Sequence, residues 1–259
     1  MTGSFAGQTV LVTGGTRGLG RGIAQAYAAE GAQVWVCGRT APADDAERFL
    51  QCDVRDPQAV QTMVDAVVAS TGRLDVVVNN AGGSPAVLAA TASPRLVEKV
   101  IGLNLLAPLW VAQAANTVMQ QQDTGGVIVN IGSVAARRPA PGTSAYAAAK
   151  AGLAVLTRAL AVEWAPRVRV VSVTPGLVDT ELAGSNYGAD PTAVLATIPM
   201  GRLAAPADVA AACLMLSSPA AAYITGADLF VDGGGEIPAF HAALAHPRPS
   251  HDQLESTHA

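Results

Sequence analysis

A β-branched run, TVLVT at residues 9–13, passes directly into GGTRGLG and then into the helical stretch RGIAQAYAAE, which stops at Gly31. A strand that breaks into closely spaced glycines and restarts as a helix leaves a chain few folds to choose from. Gly14, Gly18 and Gly20 let the backbone turn sharply and come close to a ligand. The helix start behind them offers unpaired N–H groups and the positive end of its dipole to an anion. Units of this kind open crossovers between parallel strands, and strands buried on both faces read as continuous apolar runs.

Such runs recur along the chain: QVWVC (33–37), FLQCDV (49–54), the strand in DVVVNNAGG (75–83), GVIVNI (126–131), VRVVSVTPG (168–176) and GADLFVDGGG (226–235). Helical patterns separate them, opening at Asp56–Pro57, Ser93–Pro94, Ser144 and Pro206–Asp208, where N-capping residues or first-turn prolines mark helix starts. The expected fold class is therefore α/β: a Rossmann-type doubly wound parallel sheet of about seven strands in three layers. At 259 residues, half of them hydrophobic, one domain over 1–235 is expected, followed by a loose Pro-containing tail over 236–259.

The glycine turn, with Thr16, Arg17 and Leu19 between its glycines, is the expected seat of a dinucleotide pyrophosphate. QVWVC ends in Gly38–Arg39, where a site for NAD is expected to carry an acidic residue for the ribose hydroxyls. No acid stands there. Arg39 and Arg17 suit a 2′-phosphate instead, so NADP is the expected cofactor, with NAD the alternative. The bland reading is two solvated arginines near Asp44, Asp45 and Glu47. Asp53 and Val54, at the end of the third run, are placed to meet an adenine ring, or Asp53 to cap the next turn.

Composition excludes several chemistries. All four histidines lie at positions 241–258, so the body holds no imidazole to activate a serine, and the flanks of Ser133 do not read G-x-S-x-G. The three cysteines have no metal-like spacing. A net charge of −4 gives no basic footprint for nucleic acid or an anionic membrane. No signal peptide and no apolar run near membrane-spanning length is read, so the expected location is the cytoplasm.

The chemistry is expected in SVAARRPAPGTSAYAAAK, residues 133–150. Tyr146 and Lys150 are four apart, which on a helix puts both on one face with Cβ atoms about 5–6 Å apart. An ammonium beside a phenol favours the phenolate, at about 1.4 kcal/mol for each pH unit of lowering, and makes the tyrosine a usable acid and base. Ser133, just past GVIVNI, stands at the carboxyl end of a strand, where open parallel sheets place ligands. Arg137 and Arg138 suit an acidic group or, more simply, a solvated loop.

With TGxxxGxG, NNAG and S-x12-Y-x3-K all in order, residues 7–235 resemble the short-chain dehydrogenase/reductase family. The resemblance implies an oxidoreductase that interconverts a carbonyl and an alcohol with NAD(P). It assigns Ser133, Tyr146 and Lys150 to catalysis and adds Asn104, within IGLNLLAP, as the holder of a water linked to Lys150. Tyr146 and Lys150 also meet the cofactor in that family. The resemblance further places Asn80, Ala81 and Gly82 on the adenosine side. Pro175, Gly176, Val178 and Thr180 come to lie at the nicotinamide. Read from the residues alone, the two amides of NNAG repair backbone groups at a strand end, Asn104 repairs a proline kink, and 175–180 is a strand-to-loop turn. The Gly, Pro and small residues of 181–203, around short helical fragments, read as a mobile lid; the resemblance implies a homodimer or homotetramer, the partner otherwise being a small carbonyl or alcohol.

Overall fold

The computed structural model describes residues 3–41, 48–138, 140–181 and 192–238. Seven parallel strands form one sheet in the order β3-β2-β1-β4-β5-β6-β7. They are β1 (Thr9–Thr13), β2 (Gln33–Gly38), β3 (Arg48–Gln51), β4 (Val76–Asn79), β5 (Gly126–Ile131), β6 (Val168–Pro175) and β7 (Asp228–Val231). Helices α1 (Gly18–Ala29), α2 (Pro57–Thr71), α3 (Pro94–Ile101), α4 (Ala107–Met119), α5 (Ser144–Trp164), the short α6 (Thr192–Leu195) and α7 (Pro206–Ser217) complete it.

Alternate strand residues feed two cores, because successive side chains in a strand point to opposite faces. Val10, Val12, Val78 and Val129 pack with Ile23, Tyr27 and Cys213 of α1 and α7. Leu11, Val77 and Ile128 pack with Val64, Val111 and Leu160 of α2, α4 and α5. Burying each such side chain contributes about 1.5–3 kcal/mol. The sheet is thus a middle layer, as expected. The order turns at β1 and β4, which run side by side although β2 and β3 lie between them in sequence, and their carboxyl ends frame the crevice where such sheets bind ligands.

Four local expectations are corrected. Helix α1 begins at Gly18, inside the glycine turn, not at Arg21. Strand β3 ends at Gln51, because the Asp53 carboxylate accepts the Arg55 N–H at 3.1 Å and turns the chain; Asp56 caps α2 through the Gln58 N–H. The helical stretch opened by Ser93 carries a π-turn at Gly102–Leu106. There the Asn104 amide donates to the Val100 carbonyl at 2.9 Å, and Pro108 has no N–H to return to Asn104 four residues back. Finally, Pro94–Met119 and Ser144–Trp164 are each long and apolar enough, by length and composition, to cross a membrane. Both cover the sheet here, with one face of each in the core.

The expected turn near Asp44, the residues 182–191 of the expected lid and the tail beyond 238, with its histidines, lie outside the described residues. Glu236 and Ile237 do not begin a loose end: the Ile237 N–H donates to the Thr197 carbonyl at 2.8 Å.

Candidate active site

Gly14 and Gly18 adopt φ of +64° and +53°, the left-handed region that a side chain resists. Gly20 is held by space instead: a Cβ there would lie 2.3 Å from the Gly14 carbonyl oxygen and 2.3 Å from Asn80 Nδ2. Thr16 sits against Gly38 at the end of β2, its side chain 3.3 Å from where a Gly38 Cβ would be. Helix α1 has no side-chain cap and no acid in its first turn, so its leading N–H groups are left for an anion. Thr180 and Glu181 lie across from Gly18, the Glu181 carboxylate 3.4 Å from a Cβ built there. A backbone stripped to glycine and an uncapped helix start fit a dinucleotide pyrophosphate.

The turn is braced by the strand beside it. Asn80 Nδ2 donates to the Thr13 and Gly14 carbonyls at 3.0 and 3.2 Å, and Thr13 Oγ1 accepts the N–H groups of Asn80 and Ala81, both at 3.0 Å. Asn79 points into the core, donating to Asn130 and to the Pro108 carbonyl. The structural role expected for the two amides is therefore present in both. Thr13 is a member of the site that glycine spacing gives no signal for; a hydroxyl at the last strand position before the turn is its only trace.

Arg17 and Arg39 are exposed on either side of this turn, and among the described residues neither forms an ion pair. Asp53 is committed elsewhere. Both of its oxygens are engaged by the Arg55 guanidinium, at 2.9 and 2.5 Å, which holds its carboxyl below the usual range. Val54 is buried beside it.

At the other end of the crevice, α5 delivers Tyr146 and Lys150 as the four-residue spacing requires. Lys150 Nζ lies 5.8 Å from the Tyr146 ring centroid and donates to the Ile131 carbonyl at 2.7 Å. A Cβ on Gly82 would lie 2.8 Å from Asn104 Oδ1 and 3.4 Å from Lys150 Nζ, so these three positions share one small space. Asn104 is buried and spends its amide on Gly83, donating to its carbonyl and accepting its N–H, each at 2.9 Å. Ser133 caps the turn Val134–Ala136, which packs on α5; Ser133 Oγ accepts the Ala135 N–H at 3.2 Å. That leaves its hydroxyl proton to donate outward. The loop after Gly83 closes over the start of α5, the Val87 N–H donating to the Gly142 carbonyl at 3.0 Å.

Pro175 ends β6, Gly176 packs against the Asp232 backbone, and Val178 makes a bridge to Ala204. A cavity of about 220 Å³ lies behind this segment, lined by Leu177, Ile198, Met200 and Phe230 among others; none of Ser133, Tyr146 or Lys150 lines it.

Lys150 is fully buried, and loss of water pulls its pKa from 10.5 down to about 8. In the folded chain the proton leaves from about pH 8; in the unfolded chain it stays until 10.5. Between those values the unfolded state binds more protons, so stability from this group rises with pH. The penalty, of order 3 kcal/mol at pH 7, is partly offset by the bond to Ile131. Relative to Lys150→Met, wild type is thus expected to gain about 3 kcal/mol between pH 7 and pH 10.5 in urea unfolding of the cofactor-free proteins. A difference between the two proteins that does not move with pH contradicts this.

Comparison with known proteins agrees with the geometry. Residues 14–236 match the family model described as enoyl-(acyl carrier protein) reductase. The chain belongs to the short-chain dehydrogenase/reductase family. It is 38% identical over 250 residues to 3β-hydroxysteroid dehydrogenase 1 of Eggerthella lenta, covering 90% of this chain and 95% of that one. It is also 38% identical over 231 residues to the 3-oxoacyl-(acyl-carrier-protein) reductase MabA of Mycobacterium tuberculosis, at 89% and 93% coverage. The ligand-free aldohexose dehydrogenase of Thermoplasma acidophilum superposes with a TM-score of 0.86 at 30% identity, over 95% of this chain and 98% of that one. The chain is, with this family, an NAD(P)-dependent oxidoreductase of the carbonyl/alcohol couple.

Proposed function

We propose that this enzyme is an NADPH-dependent reductase of an uncharged ketone, with Ser133, Tyr146 and Lys150 as its catalytic residues and Asn104 behind them. The observation that carries the reading is the buried Lys150 ammonium, 5.8 Å from the Tyr146 ring and one small residue away from Asn104. At neutral pH Lys150 stays largely charged, below its pKa of about 8. Its field in a desolvated site favours the phenolate, so Tyr146 parts readily with its proton. Ser133 donates to the substrate oxygen and fixes it; Tyr146 hands that same oxygen the proton it needs to become a hydroxyl. Bound NADPH supplies the hydride. The carbonyl of Asn104, deprived of the Pro108 donor, is a fitting acceptor for a water that returns protons towards Lys150.

The glycine turn with Thr16 and Leu19 would hold the pyrophosphate, and Arg17 within it would meet the 2′-phosphate together with Arg39. Asn80, Ala81 and Gly82 would hold the adenosine side, and Pro175, Gly176, Val178 and Thr180 the nicotinamide amide. The preference for NADPH is supported by the exposed Arg17 and Arg39 and by Gly38–Arg39 standing at the end of β2 where a carboxylate would suit NAD; Asp53 is ion-paired with Arg55. A charged hydrogen bond to phosphate is worth about 1.5–3 kcal/mol. Arg17→Ala/Arg39→Ala is therefore expected to raise the Kd for NADPH roughly 100-fold and to leave that for NADH within about threefold. Equal loss for both cofactors, or tighter NADH binding by wild type, contradicts the preference.

The wall over α5, from Gly83 to Leu88, is mostly apolar, which suits a ketone of modest polarity. The test is NADPH oxidation with a short 3-oxoacyl thioester, a 3-ketosteroid, cyclohexanone and a ketose. Turnover of one of the first three supports the reading, and turnover of the sugar alone overturns the substrate class. Leu106, Val155 and Val162 are 38%, 58% and 83% exposed on the outer face of the α4–α5 layer, which supports a homo-oligomer joined there. Three unpaired, buried thiols support a reducing, cytoplasmic setting.

A further inference from the structure

Arg137 and Arg138 follow the Ser133 turn, and each has a partner on β7 or just beyond it, although Arg137 itself stays exposed. Arg138 is ion-paired with Glu236, and the Arg137 guanidinium lies 4.2 Å over the Phe230 ring and 3.9 Å from Asp228 Oδ2. The other Asp228 oxygen accepts Thr174 Oγ1 at 2.6 Å. A Cβ on Gly132 would fall 2.3 Å from that same Thr174 oxygen, so the residue just before Ser133 rests on it. The segment 132–138 is thereby gripped at both ends by β6, β7 and the chain after β7.

The turn needs an outside grip. Its helix is a single 3₁₀ turn of three residues, none of them buried, and among the described residues Ser133 Oγ is fixed only by the Ala135 N–H at 3.2 Å. Of the anchors, Arg138–Glu236 is the half-buried ion pair, with side-chain exposures of 40% and 29%. Glu236 is itself fastened, since the neighbouring Ile237 N–H donates to the Thr197 carbonyl at 2.8 Å. The geometry points to Arg138 and Glu236 as positioning residues: their ion pair sets where Ser133 presents its hydroxyl, which makes the chain beyond β7 part of the active site. This inference rests on the role of Ser133 proposed above.

Arg138→Gln, Glu236→Gln and the exchanged pair Arg138→Glu/Glu236→Arg test it, with NADPH and the carbonyl panel named above. A misplacement near 1 Å costs up to about 100-fold in rate. Each single variant is expected to lose roughly tenfold in kcat while NADPH affinity and Tm stay at wild-type values, because the glycine turn is at the other end of the crevice; the exchanged pair is expected to recover most of the loss. Single variants within twofold of wild type in kcat overturn the inference, as does an exchanged pair as impaired as the two losses combined.

A second readout separates this from the function itself. Amide exchange of Ala136, Arg137 and Arg138, whose N–H groups close the turn on Ser133 and Val134, is expected to quicken in both single variants and to slow again in the exchanged pair. Unchanged exchange overturns the clasp whatever the enzyme turns over. Failure of wild type on every ketone overturns the functional reading and leaves the exchange result to decide the clasp.

Discussion

Tyr146→Phe is expected to keep NADPH affinity within about twofold of wild type and to lower turnover of a ketone by about 10³-fold or more, since general acid catalysis contributes on the order of 10²–10⁴ and one oxygen-holding donor is lost as well. The ring, and with it the packing beside Lys150, survives; only the hydroxyl leaves. The partition is the informative part. Ser133→Ala on the same panel removes a hydrogen bond and keeps the acid, so a smaller loss is expected of it. Fluorescence titration with NADPH and initial rates measure both quantities. Near-normal turnover of Tyr146→Phe would leave the phenol without the role given to it.

Gly20→Ala is expected to weaken NADPH binding by more than about 100-fold, because the added methyl meets backbone. The Gly14 carbonyl oxygen at 2.3 Å cannot rotate aside as a side chain can, so the turn must open, and overpacking of this kind costs about 1–3 kcal/mol of stability as well. Gly102→Ala is the control. Its Cβ meets nothing within 4 Å at an ordinary helical φ of −54°, so it is expected to bind NADPH as wild type does. Comparable losses in the two variants would mean that the glycine turn is not the cradle.

Local chemistry was most legible where a residue's neighbours in sequence are also its neighbours in space. Asp56–Pro57 and Ser93–Pro94 open α2 and α3 as capping rules require, and Tyr146 and Lys150 share a helical face because only α5 lies between them. The run FLQCDV reads as a longer strand than β3 is, because nothing in it warns that Asp53 will turn back on Arg55. The π-turn was half legible: Pro108 announces an interruption, but the clamp between Asn104 and Gly83 spans 21 residues and leaves no periodic trace. Arg137 and Arg138 were the least legible. Adjacent arginines in a loop read as solvated, and their partners Asp228, Phe230 and Glu236 come to them only once β5, β6 and β7 are side by side.

The central claim is that a ketone carbon receives hydride in the crevice that runs from the glycine turn to Tyr146. NADPH carrying deuterium at the nicotinamide carbon that transfers, incubated with enzyme and the best ketone of the panel, tests it by mass spectrometry of the product. One face of labelled cofactor is expected to give an alcohol one mass unit heavier with deuterium on the carbinol carbon, and the other face none. Alcohol free of deuterium from both labelled cofactors, or a label on any other carbon, would contradict the account.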